Sequence, residues 1–195
     1  MKLSLEEKAA LLEGQDSWKT LEIPQKGLRP LYMTDGPLGV RKKDFNRGSM
    51  LGMNQTVPST AFPAPAALAN SWDEELTETV ASAIGRECRA MGVDILLAPA
   101  LNIKRDPRCG RNFEYFSEDP LLTGKLAAAF CRGVEGQGAA ACLKHFAMNN
   151  SENYRYMSNS LADERTQREI YFKGFEIAVK EGHPRAVMCS YNLIN

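Results

Sequence analysis

The chain has 195 residues, of which 24 are basic and 24 are acidic, so its formal net charge is zero. A balanced charge gives no field of one sign that would attract nucleic acid or an anionic membrane, and we expect neither as a partner. The length suits one domain with a sizeable core.

Cysteine and histidine usage limits the redox and metal chemistry that the chain can carry. None of the five cysteines forms a Cys-x-x-Cys pair, and several stand among apolar residues, as reduced core thiols do. Neither His145 nor His183 stands at ligand spacing from a cysteine, so we predict no metal site, and no other cofactor. No apolar run is long enough for a signal peptide or a membrane span, which together with the thiols favours a cytoplasmic protein.

The N-terminal third is predicted to be irregular. Residues 3–14 have the pattern of an amphipathic helix, and residues 31–34 that of a short strand ending in a tight turn that exposes Asp35. From this turn alone, Asp35 is more simply interpreted as a cap of its own turn than as a binding residue. Residues 42–66, rich in Pro, Gly and Met, predict a long irregular connection.

Helices and strands alternate from residue 71 onward. Ser71 is the predicted N-cap of the first helix, with Glu74 completing a capping box. Two further helices are predicted to start at Asp119-Pro120 and near Asp163. The predicted strands, 94–99, 139–143 and 186–190, start near positions 94, 140 and 186, which are 46 residues apart. Such alternation implies parallel strands joined by right-handed crossovers, as in an α/β barrel.

Polar residues follow each predicted strand at its carboxyl end. The segment 105–120 is dense in Arg, Asp and Glu, Lys144-His145 follow the second strand, and Tyr191 follows the third. In a (β/α) barrel this face carries the active site, and no strand here is followed by the glycine-rich turn that would hold a phosphate. Arg111 could instead pair structurally with Glu114 or Asp119, and for Arg105 and Arg108 we expect such pairing.

Six segments together resemble glycoside hydrolase family 3, the β-glucosidase-like enzymes, in the right order and over nearly the whole chain. They are residues 33–39, 63–73, 105–120, 144–146, 163–171 and 187–192. The resemblance implies an α/β fold in which residues 1–195 form the N-terminal half of a TIM-like (β/α)8 barrel. It also implies retaining hydrolysis of terminal non-reducing β-D-glycosidic bonds, with a β-glucoside or related oligosaccharide as substrate.

The resemblance assigns most of the motif residues to binding of the sugar before the scissile bond. Asp35 would accept hydrogen bonds from hydroxyls far from the anomeric carbon, while Tyr191 would lie near that carbon and orient the nucleophile. The same sugar ring would be bound by Arg111, Lys144, His145 and Arg155. Glu114 is interpreted as an orienting partner rather than a catalyst.

The two carboxyl groups that such an enzyme needs are not identified among these residues. The resemblance places the nucleophile in a Ser-Asp-Trp-like motif on the next strand, and neither Trp18 nor Trp72 stands in such a motif. We therefore predict that the chain contains no catalytic residue. We also predict that it is a piece of a longer enzyme and that, alone, it is inactive and poorly soluble. The alternative is a non-catalytic sugar-binding or interaction module.

Overall fold

The computed structural model describes residues 2–44 and 56–195, so part of the irregular connection predicted at 42–66 lies outside the described residues. Helix α1, Leu5–Ala10, is shorter than predicted and is capped by the side chain of Ser4. A 3-10 turn, Pro24–Lys26, precedes strand β1, Met33–Asp35.

Two helices follow the connection, and the cap of the second differs from the prediction. Helix α2 is Pro65–Ala69 and helix α3 is Glu74–Ala90. The Ser71 hydroxyl donates to the carbonyl of Leu68 at the end of α2, at 2.6 Å. The N-cap of α3 is therefore Asp73, whose Oδ1 accepts from the backbone N–H of Leu76 at 2.9 Å.

The remaining elements continue the alternation of strand and helix. In chain order they are β2 (Ile95–Leu97), a 3-10 turn (Asn112–Glu114), α4 (Pro120–Glu135), β3 (Ala140–Phe146), β4 (Asn159–Ser160), α5 (Glu164–Thr166), a π-helical segment (Gln167–Tyr171), α6 (Lys173–Gly182), β5 (Ala186–Cys189) and β6 (Leu193–Ile194). Asp119 caps α4 and Asp163 caps α5, so both predicted helix starts are confirmed. The third predicted helix is broken into α5, the π segment and α6.

Strands β1, β2, β3 and β5 form one parallel sheet in that spatial order. Within this sheet, each strand pairs with the next of its strands along the chain, with Met33 opposite Ile95, Ile95 opposite Ala140, and Cys142 opposite Ala186, and β4 is skipped. Sequential parallel neighbours with helical crossovers are the topology of consecutive barrel units. The short strands β4 and β6 form a separate parallel pair.

Helix α4 packs between α3 and α6. Together with the outer face of the sheet, these helices form the main hydrophobic core. Phe130, fully buried at the centre of α4, would cost about 3–5 kcal/mol if cut back to alanine. Close helix contact requires glycine on α4, because a Cβ on Gly133 would meet the carbonyl oxygen of Glu78 at 2.5 Å. None of the helices within residues 2–44 and 56–195 is both long enough and apolar enough to cross a bilayer.

Candidate functional site

The six predicted site residues all lie at the carboxyl edge of the four-stranded sheet. Asp35 is the last residue of β1, and Arg111 lies in the loop from β2 to α4. Lys144 and His145 are near the end of β3, Arg155 is in the loop after it, and Tyr191 follows β5. The parallel topology thus brings residues from four segments to one face.

Lys144 is the centre of a buried group of charges. Only 2% of the residue is exposed, and its Nζ lies 3.3 Å from Glu114 Oε2 and 3.8 Å from Asp35 Oδ1. Glu114 is also buried, and its other oxygen accepts from Nε of Arg111. Arg41 lies 3.8 Å from the second oxygen of Asp35. Because a buried lysine is stable only with charged partners, the two carboxylates explain its position.

The arginine-rich loop, residues 105–119 between β2 and α4, contains arginines in structural pairs and one arginine in the candidate site. The interpretation of Glu114 as an orienting partner agrees with this geometry, since one carboxylate holds both Arg111 and Lys144. Arg108 pairs with Asp106 at 2.8 Å, as expected. Arg105 differs from the expectation of a carboxylate partner, since it donates to the Tyr171 hydroxyl at 2.6 Å.

Tyr191 is surrounded by three of the other predicted residues. The guanidinium carbon of Arg155 lies 4.0 Å from the centre of its ring, and that of Arg111 lies at 5.9 Å. The ring of His145 is tilted against it with centres 5.4 Å apart. Arg155 is held in turn by Glu152, at 3.0 Å. A cation over an aromatic face is attracted by the negative face of the ring quadrupole, so these contacts fix the Tyr191 ring.

His145 is a neutral imidazole in a positively charged environment. Burial is the main cause that lowers its pKa, to about 2, and the nearby cations Arg111, Lys144 and Arg155 lower it further. Its backbone N–H donates to Oδ1 of Asn102 at 2.9 Å. Its ring Nε2 is buried and, among the described residues, has no hydrogen-bond partner.

The structure therefore joins all six predicted residues in one network, although their part in binding a ligand stays a prediction. Sequence reasoning missed three supporting residues, which are Asn102, Glu152 and Tyr156. Asn102 had a weak signal, since it follows a predicted strand end. Glu152 and Tyr156 had none beyond their place near Arg155, because their partners are set by the course of the loop after β3.

This network can bind a ligand rich in hydroxyl groups more readily than it can break a bond. Lysine and arginine offer N–H donors, while Asp35 and a neutral histidine offer acceptors. The carboxylates of Asp35, Glu114 and Glu152 are all ion-paired with neighbouring cations. Within residues 2–44 and 56–195, no three His, Cys, Asp or Glu side chains are grouped to hold a metal ion.

Comparison with known proteins decides the family. Residues 42–195 match the model of the glycosyl hydrolase family 3 N-terminal domain. The chain belongs to glycosyl hydrolase family 3. Over 193 residues it is 53% identical to the thermostable β-glucosidase B of Acetivibrio thermocellus, covering 99% of this chain and 25% of that protein. It is 44% identical to an exo-α-(1→6)-L-arabinopyranosidase of Bifidobacterium longum, covering 99% and 26%.

Solved structures of family 3 enzymes share the fold. β-Glucosidase 3B of Thermotoga neapolitana, in complex with α-D-glucose, superposes with a TM-score of 0.89 at 44% identity, covering 99% of this chain and 28% of that one. The glucose complex of the Kluyveromyces marxianus β-glucosidase gives 0.92 at 38% identity, covering 100% and 22%. The predicted α/β fold, part of a TIM-like barrel, is thus confirmed. The chain spans about a quarter of the length of these curated relatives.

Proposed function

We propose that the protein hydrolyses terminal, non-reducing β-D-glycosidic bonds with retention, and that the network around Lys144 and Tyr191 binds the non-reducing sugar ring. The observation that carries the proposal is the convergence of Asp35, Arg111 and Lys144 with His145, Arg155 and Tyr191 at one edge of the sheet. Family 3 relatives named β-glucosidases, of which two were solved with glucose, support the choice of sugar.

The proposal assigns each side chain a task that its chemistry allows. Hydroxyls of a sugar lose water when they enter the site, so fixed donors and acceptors must replace it. Lys144 and Arg111 are held by Glu114 before any ligand arrives, which lowers the entropy cost of binding. A hydrogen bond donated by such a charged group to a sugar hydroxyl contributes about 1.5–3 kcal/mol.

The bond-breaking groups of the proposed reaction come from outside the network. A retaining glycosidase needs two carboxyl groups about 5–5.5 Å apart, one as nucleophile and one as acid and base. Asp35 is paired with Lys144 and Arg41, Glu114 with Lys144 and Arg111, and Glu152 with Arg155, so none of the three suits either role. We therefore assign nucleophile and acid/base to parts of the protein beyond residues 1–195.

A second candidate substrate is an α-L-arabinopyranoside. It is favoured by the 44% identity to the exo-α-(1→6)-L-arabinopyranosidase of Bifidobacterium longum. Binding sites for the two sugars would share donors and acceptors such as Lys144 and Asp35, so the network alone fits either ring.

The test uses protein made from the complete gene with nitrophenyl β-D-glucoside and nitrophenyl α-L-arabinopyranoside. We expect kcat/KM to be higher for the glucoside, and Asp35→Ala to lower it by about 100-fold, since two or more hydroxyl contacts are lost. Asp106→Asn, which changes an exposed carboxylate in the arginine-rich loop, is the matched control. Glucose binding without turnover of either compound would show a non-catalytic sugar-binding module instead.

A further inference from the structure

The side chain of Asn102 forms hydrogen bonds with both the N–H and the carbonyl group of the His145 backbone. Its Nδ2 donates to the carbonyl oxygen of His145 at 2.9 Å, and its Oδ1 accepts from the N–H of His145 at 2.9 Å. Both residues are buried. The two bonds run in opposite directions, so an amide turned by 180° would place donor against donor and acceptor against acceptor. The position of the Asn102 oxygen is therefore fixed by the backbone of β3.

The fixed amide oxygen also determines where the imidazole proton lies. Oδ1 of Asn102 is 3.3 Å from Nδ1 of His145, and an amide oxygen can only accept a hydrogen bond. An unprotonated Nδ1 would point its lone pair at the lone pairs of that oxygen, which repel it. A protonated Nδ1 would instead donate a hydrogen bond to the oxygen. A neutral ring has one proton, so Nε2 is left as an acceptor.

The surroundings of Nε2 are those expected of a hydrogen-bond acceptor whose partner is a ligand. This nitrogen is buried and lacks a partner among the described residues, which in a folded protein calls for an explanation. The cations whose charges act on the ring, Arg111, Lys144 and Arg155, can only donate. A sugar hydroxyl can satisfy both sides at once, because its oxygen accepts from a cation while its proton goes to Nε2.

We propose that Asn102 is a positioning residue that holds His145 as the Nδ1–H tautomer, so that Nε2 accepts a hydrogen bond from one hydroxyl of the bound sugar. The part that concerns sugar rests on the proposed function. Because Nε2 is shielded from solvent, a hydroxyl reaches it only when a neighbouring group moves. Of the three cations that act on the ring, Arg155 is the least buried, with 30% of its side chain exposed, against 17% for Arg111 and 3% for Lys144.

The tautomer can be tested without any ligand. Protein from the complete gene is labelled with 15N-histidine, and the His145 signals are assigned by their loss in His145→Gln. Long-range proton–nitrogen spectra at pH 7 should show a protonated Nδ1 and a bare Nε2. Asn102→Asp keeps an acceptor beside Nδ1 and should keep the tautomer, although it loses the bond to the carbonyl oxygen of His145, whereas Asn102→Ala should give a mixture.

The control variant is Asn150→Ala, which removes a similar bond from an asparagine side chain to the backbone carbonyl of Ile103. It should leave the His145 signals unchanged. A protonated Nε2 in the parent protein, or an unchanged tautomer in a folded Asn102→Ala, would overturn the positioning role.

Sugar analogues test the acceptor role of Nε2. Glucose and its monodeoxy and monodeoxyfluoro derivatives are compared as competitive inhibitors of the parent protein and of the two Asn102 variants. At one ring position, deoxy and fluoro analogues should both bind about 10-fold more weakly than glucose, because fluorine cannot donate a hydrogen bond. That penalty should shrink in Asn102→Ala and persist in Asn102→Asp.

Two outcomes separate this inference from the proposed function. Full binding of every fluoro analogue would show that no hydroxyl acts as a donor to the site, and would overturn the acceptor role of Nε2. Failure of glucose itself to compete would count against the proposed function, while the nitrogen spectra would still decide the role of Asn102.

Discussion

Two arginine–carboxylate pairs lie within the same arginine-rich loop and differ mainly in what surrounds them. Arg108 and Asp106 pair at the surface, where 89% and 43% of their side chains are exposed. Arg111 and Glu114 pair in the interior, with 17% and 4% exposed. The sequence spacing of the two pairs is nearly the same, two and three residues.

The difference lies in a third charge that arrives from another strand. Glu114 also faces Lys144 of β3 at 3.3 Å, and Lys144 reaches on to Asp35 of β1. An exposed pair contributes little because water screens it, whereas a buried group of charges becomes costly when one member is lost. Burial against β3 therefore distinguishes Arg111 from Arg108, and charge density along the sequence does not reveal that difference.

The largest effect should come from Glu114→Gln, which leaves Lys144 and Arg111 buried beside a neutral amide. We expect a loss of about 3–5 kcal/mol in the free energy of unfolding, because buried cations lose their shared counter-ion. We also expect kcat/KM for the nitrophenyl glucoside to fall by at least about 100-fold. Denaturant unfolding and steady-state kinetics on protein from the complete gene measure both.

The matched change in the exposed pair is Asp106→Asn. It keeps an oxygen to accept from the backbone N–H of Arg108, and it removes the charge together with the oxygen that accepts from Nη2 of Arg108. Equal losses in Glu114→Gln and Asp106→Asn would contradict the distinction between the two pairs.

The second effect, of intermediate size, concerns pH and His145. Its pKa is lowered to about 2, while an unfolded histidine titrates near 6.5. Below pH 6.5 the unfolded chain binds a proton that the folded chain does not, so stability is lost as pH falls from 6.5 towards 2. The loss from this group should be about 2 kcal/mol between pH 7.5 and pH 5.

Unfolding midpoints measured across that range should depend less steeply on pH in His145→Gln than in the parent protein. His183→Gln serves as the control, because His183 is exposed at the end of α6. An equal pH slope in parent and His145→Gln would show that His145 titrates normally in the folded state.

Much of the fold could be predicted from the sequence because its signals are local. The starts of α4 and α5 at Asp119 and Asp163 follow from capping side chains that act within one turn. Ser71 misled the prediction because two potential caps stand two residues apart, and the end of α2 uses the hydroxyl of the first. The break of the third helix into a π segment has no local signal such as proline or glycine within residues 167–171.

The site was only partly predictable, since its contacts join distant segments. The polar residues after each strand could be read directly, which predicts that Lys144 and Arg111 share a face. Glu114 bridges Lys144 and Arg111 only because the 3-10 turn Asn112–Glu114 packs deeply enough beside β3. The sequence gives no measure of that depth. The hydrogen bonds from Asn102 to the backbone of His145 likewise depend on how two neighbouring segments are aligned along the sheet.

A smaller effect is expected when Arg155 is replaced by lysine. Its planar guanidinium lies 4.0 Å from the Tyr191 ring centre, and an ammonium group cannot stack in the same way. Arg155→Lys should raise KM for the glucoside by roughly 10-fold with little change in melting temperature. Arg108→Lys, at the exposed pair, should leave KM unchanged, and a similar rise in both variants would indicate a general effect of charge geometry in these loops.

The smallest effect should follow Arg108→Ala, and it is best seen in the titration of Asp106. Hydrogen bonding from the Arg108 side chain is the main cause that lowers the Asp106 pKa, to about 2, and the backbone N–H of Arg108 adds to it. Removing the guanidinium should therefore bring this pKa part of the way back towards 3.8, as carboxyl carbon NMR would show. Because the pair is exposed, kcat/KM should not change, and the melting temperature should shift by about 1 °C at most. A marked loss of activity in Arg108→Ala would mean that the surface pair also supports the site, and that burial alone does not separate the two pairs.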